Sequence, residues 1–372
     1  MVLTFTSEQE QLRDVTRKYL LTRSSEERVR SAMDTDRGFD STVWSEMAQQ
    51  IGIQSLAIPE EFGGAGYGFG ELAVVLEETG RALLCSPLMS TVVLAAHTLM
   101  LSEDKDACAQ YLPSIADGSL VATVAVVEES GSWDRNQITA SASNDGGKWT
   151  INGCKPFVLD GATAQLIIVA AKTESGISLF LVDAADAAVS VTATPTLDST
   201  RRQASVDMND APAVLLGDDG QGWSVVESLL DVAATALACE QVGGAARVLE
   251  STIEYLGVRS QFGRPIGSFQ AIKHRCADML VELESSKSAA YYATLAVTSN
   301  ASDLPVAASV AKAYCSDAYF HIASESIQMH GGIGFTWEHP AHLYFKRAKG
   351  SQILFGTPSH HRDLIADRIG II

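Results

Sequence analysis

The sequence predicts an α+β multidomain protein in which a small antiparallel β domain lies between two helical regions. Three observations predict this order. Apolar residues recur at helical spacing in the first third, short β-branched segments bounded by Gly, Asp, Ser and Asn follow, and long helical patterns then return. We predict an N-terminal helical domain over residues 1–118, a middle β domain over 119–213 and a C-terminal helical domain over 214–372.

The N-terminal region contains a predicted helix start, a loop and a second helix. Ser7 and Glu10 have capping-box spacing just before the periodic run LRDVTRKYL. The stretch PEEFGGAGYGFGE, from Pro59 to Glu71, interrupts the helical pattern with glycine and proline. The segment ELAVVLEETGRALL then restores apolar residues at helical spacing.

The middle region contains short segments of β-branched residues, which are typical of strands in a small β domain. The predicted strands are SLVATVAVV, GKWTING, AQLIIVAAK, ISLFLVD and AVSVTAT.

The C-terminal region returns to long helical patterns. One near-continuous pattern runs from Trp223 to Phe262, and a second runs from Asp303 to His330. A glycine-containing stretch overlaps the end of each pattern.

Composition restricts the partners. The net charge is −18, from 45 acidic and 27 basic residues, so a nucleic-acid partner is not expected. The N-terminus has no basic and apolar signal pattern. The longest apolar-rich stretch, MSTVVLAAHTLML, is shorter than the roughly 20 residues that span a bilayer. We therefore expect a cytoplasmic protein with no membrane partner.

Cysteine and histidine spacing predicts neither disulfides nor a metal site. The six cysteines lie far apart and include no CxxC pair. His321, His339 and His342 have no metal-ligand spacing with carboxylates.

The stretch RSQFGRPIGSFQ is the first candidate binding segment. Arg259 stands at a predicted helix end, where its guanidinium can bind a phosphate through two hydrogen bonds. Phe262 offers a ring face, and Gln270 offers a donor and an acceptor. A plain helix–helix corner with solvated arginines is the alternative interpretation.

The stretch QMHGGIGFTWEHP, from Gln328 to Pro340, is the second candidate. Gly331, Gly332 and Gly334 lack a β-carbon, so their backbone N–H groups can approach a ligand closely. A tight turn that ends a helix would explain the same glycines.

Together, in this order and within a helical–β–helical chain, the two stretches resemble the acyl-CoA dehydrogenase family. The resemblance extends from SEQEQLRDV to FKRAKGSQILFGT. It implies a C-terminal four-helix bundle, a tetramer built from dimers, and FAD at the dimer interface with its adenine end held by the neighbouring subunit. The positions that match the family's FAD contacts are Arg259, Phe262, Gln270, Gln328, Gly331, Gly332 and Thr357.

The resemblance also implies α,β-dehydrogenation of an acyl-CoA thioester. In that reaction a carboxylate removes the α-proton while the β-hydrogen leaves as hydride to the flavin. The position of this carboxylate in most members is Phe355 here, and the position used in other members is Ala233. Ala234 stands where the family usually has Arg. No catalytic base is therefore expected at either position.

The positions that match the flavin-ring pocket are altered too. Val127 replaces a hydroxyl residue, and Trp133 occupies a position that is normally small. The family's Trp-x-Thr becomes Phe157 and Leu159, and Leu159 cannot donate a hydrogen bond. The adenine-end contacts are retained while the ring contacts and the base are lost. In this combination of retained and lost positions, the chain resembles the degenerate subunits of actinobacterial α2β2 steroid acyl-CoA dehydrogenases.

Four hypotheses follow. The chain is the base-less partner of such an assembly, or a homotetrameric dehydrogenase with a relocated base, for which Glu240 is the candidate. In the third hypothesis the chain is a monooxygenase-like flavoenzyme that uses His360 or His361. In the fourth it is a scaffold without catalytic activity. The resemblance implies an acyl-CoA substrate, a homologous partner subunit and an electron-transfer flavoprotein. Arg201 and Arg202 in DSTRRQAS either approach the CoA phosphates or lie in a solvated β-turn.

Overall fold

A computed structural model describes residues 5–371 of the chain. These residues form two compact units. The helical unit contains the chain up to Arg30, Phe69–Leu84 and the chain from Ala234 onward. The sheet unit contains Ser31–Gly68 and Cys85–Ala233.

The α-helices are numbered in chain order: α1 Ser7–Arg23, α2 Glu26–Met33, α3 Ser41–Glu46, α4 Phe69–Arg81, α5 His97–Leu101, α6 Lys105–Ala116, α7 Gly222–Val258, α8 Gln270–Thr298, α9 Leu304–His330, α10 Ala341–Ile353 and α11 Pro358–Arg368. The strands are β1 Ala122–Ala125, β2 Ser141–Asp145, β3 Lys148–Leu159, β4 Leu166–Thr173, β5 Gly176–Asp183, β6 Val189–Thr194, β7 Gln203–Leu216, β8 Ser260–Gln261 and β9 Arg264–Pro265.

Helix α1 begins one residue earlier than the sequence predicts. Thr6 is the N-cap: its hydroxyl accepts a hydrogen bond from the backbone N–H of Gln9, and the Gln9 side chain accepts one from the Thr6 N–H. The predicted pair, Ser7 with Glu10, is therefore wrong by one position. Ser7 already lies in the first turn, and Gln9 serves the capping box as well as Glu does.

The helical unit is organised around α9, which packs against α8, α10 and α11. Helix α1 is attached to α4 through buried carboxylates. Arg17 donates two hydrogen bonds to Glu78, and Arg13 donates one to Glu77. Both glutamates are less than a tenth exposed, so these ion pairs fix the approach of the two helices.

The sheet unit contains a sheet that closes on itself. Strands β4, β2, β3, β7 and β5 pair in that order, and β5 pairs again with β4. Most pairs are antiparallel, but β1 runs parallel to β4, so the sheet departs from a purely antiparallel arrangement. Six consecutive residues of β4, 166–171, are buried, because both faces of this strand are covered.

Helix α7 contains a longer apolar segment than the one identified from the sequence. It is 37 residues long and is apolar enough to cross a membrane by length and composition alone. An 18-residue window of this helix is 67% buried, and buried core helices pass the same test. The expectation that MSTVVLAAHTLML is the longest apolar stretch was wrong. The six cysteines of the chain are free thiols.

Candidate functional site

The first candidate segment forms a small β-hairpin at the end of α7. Strands β8 and β9 pair across the two-residue turn Phe262–Gly263. Both turn residues have positive φ, 54° and 77°, which is the pattern of a type I′ turn. The Phe262 ring is 91% exposed at the tip. The expected simple turn between helices is thus a hairpin that presents an aromatic ring.

The ends of α7 and α9 lie together. The Tyr255 ring stacks on the His330 ring with centroids 4.4 Å apart, and the Tyr255 hydroxyl donates to the His330 carbonyl at 3.3 Å. Arg259 lies one turn after Tyr255, directly before the hairpin, and Gly331 directly follows His330. The two candidate segments therefore share one end of the helical unit.

The residues at this end face open space. Arg259, Gln270 and Gln328 are exposed, and their side chains make no hydrogen bond or ion pair within residues 5–371. A β-carbon built on Gly331 or Gly332 would meet no atom within 4 Å. Polar groups that the fold leaves unused beside bare backbone suit a ligand or a second chain that approaches from outside.

Thr357 has a structural role at the start of α11. Its hydroxyl oxygen accepts a hydrogen bond from the His360 N–H at 3.3 Å and caps the helix. The side chain is nevertheless exposed, so its hydroxyl hydrogen remains able to donate to an external acceptor.

The two positions expected to lack a base are buried and apolar. Phe355 is 2% exposed and has φ +59°, and Ala233 is fully buried. Neither side chain can accept a proton.

Glu240, the candidate relocated base, is held in a buried ion pair. Arg347 donates to its carboxylate at 2.7 Å, and the same guanidinium donates to the Leu84 carbonyl at 3.3 Å. Both partners are about 5% exposed. A carboxylate with a buried arginine partner is stabilised as the anion, but the arginine also blocks its approach to an external proton.

Comparison with known proteins agrees with this architecture. Sequence models of the acyl-CoA dehydrogenase N-terminal, middle and C-terminal domains match residues 6–119, 123–210 and 220–370. The chain belongs to the acyl-CoA dehydrogenase family. It is 37% identical to acyl-CoA dehydrogenase IpdE2 of Mycolicibacterium smegmatis over 94% of this chain and 95% of that protein.

Two solved structures are similar over nearly the whole chain. A variant of the Tcur3481-Tcur3483 steroid ACAD is 33% identical with a TM-score of 0.89, and the match covers 98% of both chains. The ChsE4-ChsE5 complex of Mycobacterium tuberculosis is 27% identical with a TM-score of 0.91, and the match covers both chains completely.

Acyl-CoA dehydrogenases are FAD-dependent oxidoreductases, so the residues of each unit can be tested against the cofactor. In the helical unit, the exposed Arg259, Gln270 and Gln328 and the open backbone at Gly331–Gly332 fit a dinucleotide end. In the sheet unit, two of the positions matched to the flavin ring, Val127 and Leu159, offer no side-chain hydrogen bond. Val127 and Leu159 are apolar and at least 93% buried.

The remaining ring-end positions of this acyl-CoA dehydrogenase are aromatic. Phe157 is 45% exposed and so presents a face for stacking, whereas Trp133 is half-buried. Stacking on Phe157 is therefore a contact that the sheet unit can offer to a flavin ring.

A buried ion pair that the sequence did not reveal anchors the segment before Trp133. Glu128 accepts hydrogen bonds from Lys155 at 2.7 Å and from the N–H groups of Thr139 and Ala140 at 2.8 and 2.9 Å. Burial acts to raise the pKa of Glu128, but these donors together hold it below its usual value. The altered segment is thus fixed to β3 rather than loose.

The histidines considered for another flavin chemistry differ in their surroundings. His360 is exposed, whereas His361 is buried and its ring Nε2 lies 2.9 Å from the Phe355 carbonyl. Burial lowers the pKa of His361 to about 3, so the ring is neutral near pH 7. In the sheet unit, Arg202 donates to the backbone carbonyls of Met33 and Thr35, so its guanidinium is used within the fold.

Proposed function

We propose that this chain is the base-less subunit of a heteromeric FAD-dependent acyl-CoA dehydrogenase. In this proposal a homologous subunit supplies the carboxylate base, and this chain supplies Arg259, Phe262, Gln270 and the 328–332 segment to the adenine end of the partner's cofactor. FAD, when bound, supplies the hydride acceptor of the family reaction.

The observation that carries the proposal is the contrast between Phe355 and Arg259. The Phe355 ring is buried and has no proton-accepting atom, so position 355 of this chain contributes no base. Arg259 is exposed and unpaired within residues 5–371, so it is available to a phosphate that is not bound by its own fold. A chain that keeps a phosphate-binding residue but lacks the catalytic base is suited to an active site that is shared with another subunit.

Glu240 does not supply the missing base in this proposal. Its buried pairing with Arg347 gives the carboxylate a structural role, and moving it would leave a buried guanidinium without its partner.

The names of the similar structures support a heteromeric assembly and a steroid substrate. The Tcur3481-Tcur3483 structure is named as a steroid ACAD of two components, and the ChsE4-ChsE5 structure is named as a complex. We extend both features to this chain. The substrate class is then a steroid-derived acyl-CoA thioester, and the electron acceptor is an electron-transfer flavoprotein, as is usual for the family.

The test combines this chain with a homologue that carries Glu at the position matching Phe355. Arg259→Gln in this chain should remove bound flavin from the complex, because one charge-assisted contact with the cofactor is lost. Arg264→Gln is the matched control: Arg264 lies in the same hairpin but stacks over the Phe269 ring at 4.0 Å. The control complex should keep flavin and dehydrogenase activity.

A homotetramer of this chain alone with full flavin content and dehydrogenase activity would contradict the proposal. Loss of activity in Glu240→Gln with flavin retained would instead identify a relocated base.

A further inference from the structure

The turn at Phe355–Gly356 is held from inside the helical unit by two basic side chains. Its residues have positive φ, 59° and 102°, so both depart from ordinary helix and strand geometry. Lys312 of α9 donates to the Gly356 carbonyl at 2.8 Å, and His361 of α11 contacts the Phe355 carbonyl at 2.9 Å. The two consecutive backbone carbonyls therefore accept hydrogen bonds from two different buried side chains, Lys312 and His361.

Lys312 is fully buried and has an unusual set of partners. Besides the Gly356 carbonyl, its ammonium donates to the Ser316 hydroxyl at 3.1 Å and to the Gln352 carbonyl at 3.2 Å. Within residues 5–371 it makes no ion pair with a carboxylate. A buried lysine without a counter-ion is costly, so its three hydrogen bonds to neutral groups are what retain it.

The hydrogen bonds of His361 determine its tautomer. The Phe355 carbonyl can only accept, so Nε2 carries the hydrogen and donates to it. Nδ1 then accepts from the Ser309 hydroxyl at 3.3 Å. Arg368 donates to the same Ser309 oxygen at 2.8 Å, which leaves the Ser309 hydrogen to point toward His361.

We propose that Lys312 and His361 are positioning residues, named here the turn anchor, that fix the left-handed turn at Phe355–Gly356 and so set the position of Thr357 at the start of α11. The turn anchor is independent of whether the chain has a base. Its consequence for flavin rests on the proposed function, because only there does Thr357 contact the cofactor.

Ser316 allows the turn anchor to work whether Lys312 is charged or neutral. A charged Lys312 donates to both carbonyls and to Ser316, whereas a neutral amine donates to the two carbonyls and accepts from the Ser316 hydroxyl. Gln241 donates to the same hydroxyl oxygen at 3.0 Å and leaves its hydrogen able to turn.

Burial brings the titration of Lys312 toward neutral pH. Burial lowers the pKa of Lys312 to about 7, while Cys315 and Asp317 on α9 act weakly to raise it. On α11, His361 is neutral near pH 7, and Arg368 is the charged group that faces this ring. Helix α10 contributes the Gln352 carbonyl, and α7 contributes Gln241 through Ser316.

The first test follows the Lys312 side chain directly by NMR of the full chain labelled with ¹³C at lysine Cε. The Lys312 signal is the one missing from Lys312→Met, and Lys287→Met, a surface variant whose lysine pairs with Glu284, is the control. We expect a titration midpoint near pH 7. In Ser316→Ala the charged form loses a charge-assisted hydrogen bond and the neutral form loses a weaker neutral one, so the midpoint should fall by about half a pH unit or more.

A midpoint near that of exposed lysines would place Lys312 in solvent, away from the two carbonyls, and a Ser316→Ala midpoint that stays the same or rises would show that Lys312 does not donate to Ser316. Either result would overturn the turn anchor. Neither result bears on the proposed function, because the experiment requires no partner and no flavin. Ser316→Ala also keeps the experiment decisive if Lys312→Met does not fold.

The second test measures flavin affinity in the complex with a Glu-bearing homologue. His361→Leu, which removes the donor to the Phe355 carbonyl, should weaken flavin binding about tenfold. His361→Gln retains an N–H donor and should restore most of the affinity, which a purely space-filling role would not produce. Equal affinity in all three proteins would overturn the link to Thr357 and leave the first test unaffected.

Discussion

Gly243 of α7 lies directly against the backbone carbonyl of Glu77 in α4. A β-carbon added to Gly243 would stand 1.7 Å from that oxygen, and one added to Gly80 would stand 1.9 Å from the carbonyl oxygen of Glu240. Each helix thus contributes one glycine, and the missing β-carbon lets a backbone carbonyl of the other helix approach closely. This close crossing places the part of α7 that carries Glu240 against α4.

Gly243→Ala should destabilise the protein. The alanine methyl group overlaps a backbone carbonyl that cannot move without separating α4 from α7, so we expect a loss of about 1–3 kcal/mol in the free energy of unfolding. Urea unfolding followed by circular dichroism measures it. Gly257→Ala is the control, because no atom lies within 4 Å of its added β-carbon. Equal unfolding midpoints for the two variants would contradict the crossing.

Stability should fall at acidic pH because of buried histidines. Burial lowers the pKa of His361 to about 3 and that of His342 to about 4, both from 6.5. Below pH 6.5 the unfolded chain binds protons that the folded chain does not, so the free energy of unfolding decreases as pH falls toward those values. His361→Gln should reduce this slope by up to about 1.4 kcal/mol per pH unit.

The measurement for His361 is urea unfolding at several pH values between 4 and 7. His274→Gln, a substitution at an exposed histidine, serves as the control. A His361→Gln slope equal to that of the unmodified chain would mean that His361 is protonated in the folded protein.

Lys312 should make stability rise with pH above neutrality. Its pKa is lowered to about 7 in the folded protein from 10.5, so between these values the unfolded chain holds a proton that the folded chain has released. The free energy of unfolding should therefore increase from pH 7 to about pH 10, by up to about 1.4 kcal/mol per unit. Unfolding curves of Lys312→Met should lack this increase, and those of Lys287→Met should keep it.

The Glu240–Arg347 ion pair should contribute to the free energy of unfolding and not to dehydrogenase activity. Arg347→Met leaves a buried carboxylate without its partner and should cost about 3–5 kcal/mol in unfolding free energy. Glu240→Gln should cost less, and a complex with a Glu-bearing homologue should retain its activity. Thermal unfolding and acyl-CoA-dependent reduction of an electron acceptor measure the two effects. An inactive, folded and flavin-bound Glu240→Gln complex would contradict this assignment.

The element order was predictable from sequence because periodicity is a local property. Strand β7 was missed, although Ala204, Val206 and Met208 alternate with outward residues in it. The polar run Asn209–Asp210 and Pro212 reads as a loop. Asp210 has φ +53° at a register shift between β3 and β7, and pairing with β3 continues on the far side at Ala211 and Pro212. Pairing partners are distant in sequence, which periodicity cannot detect.

The candidate site also has features that the sequence reveals and features that only the structure reveals. A missing carboxylate at Phe355 is visible in the sequence, because the side chain itself lacks the required chemistry. The role of Lys312 is not, since its acceptors at Gln352 and Gly356 lie 40 and 44 residues away. In an alanine-rich helix such a lysine reads as a solvated residue, and only the packed structure shows its burial.

The flavin content of the purified protein tests the central claim most directly. The ratio of flavin to protein absorbance should be near zero for this chain alone, and about one FAD per two chains after co-expression with a homologue that carries Glu at the position matching Phe355. About one FAD per chain in the protein purified alone, together with dehydrogenase activity, would contradict the account.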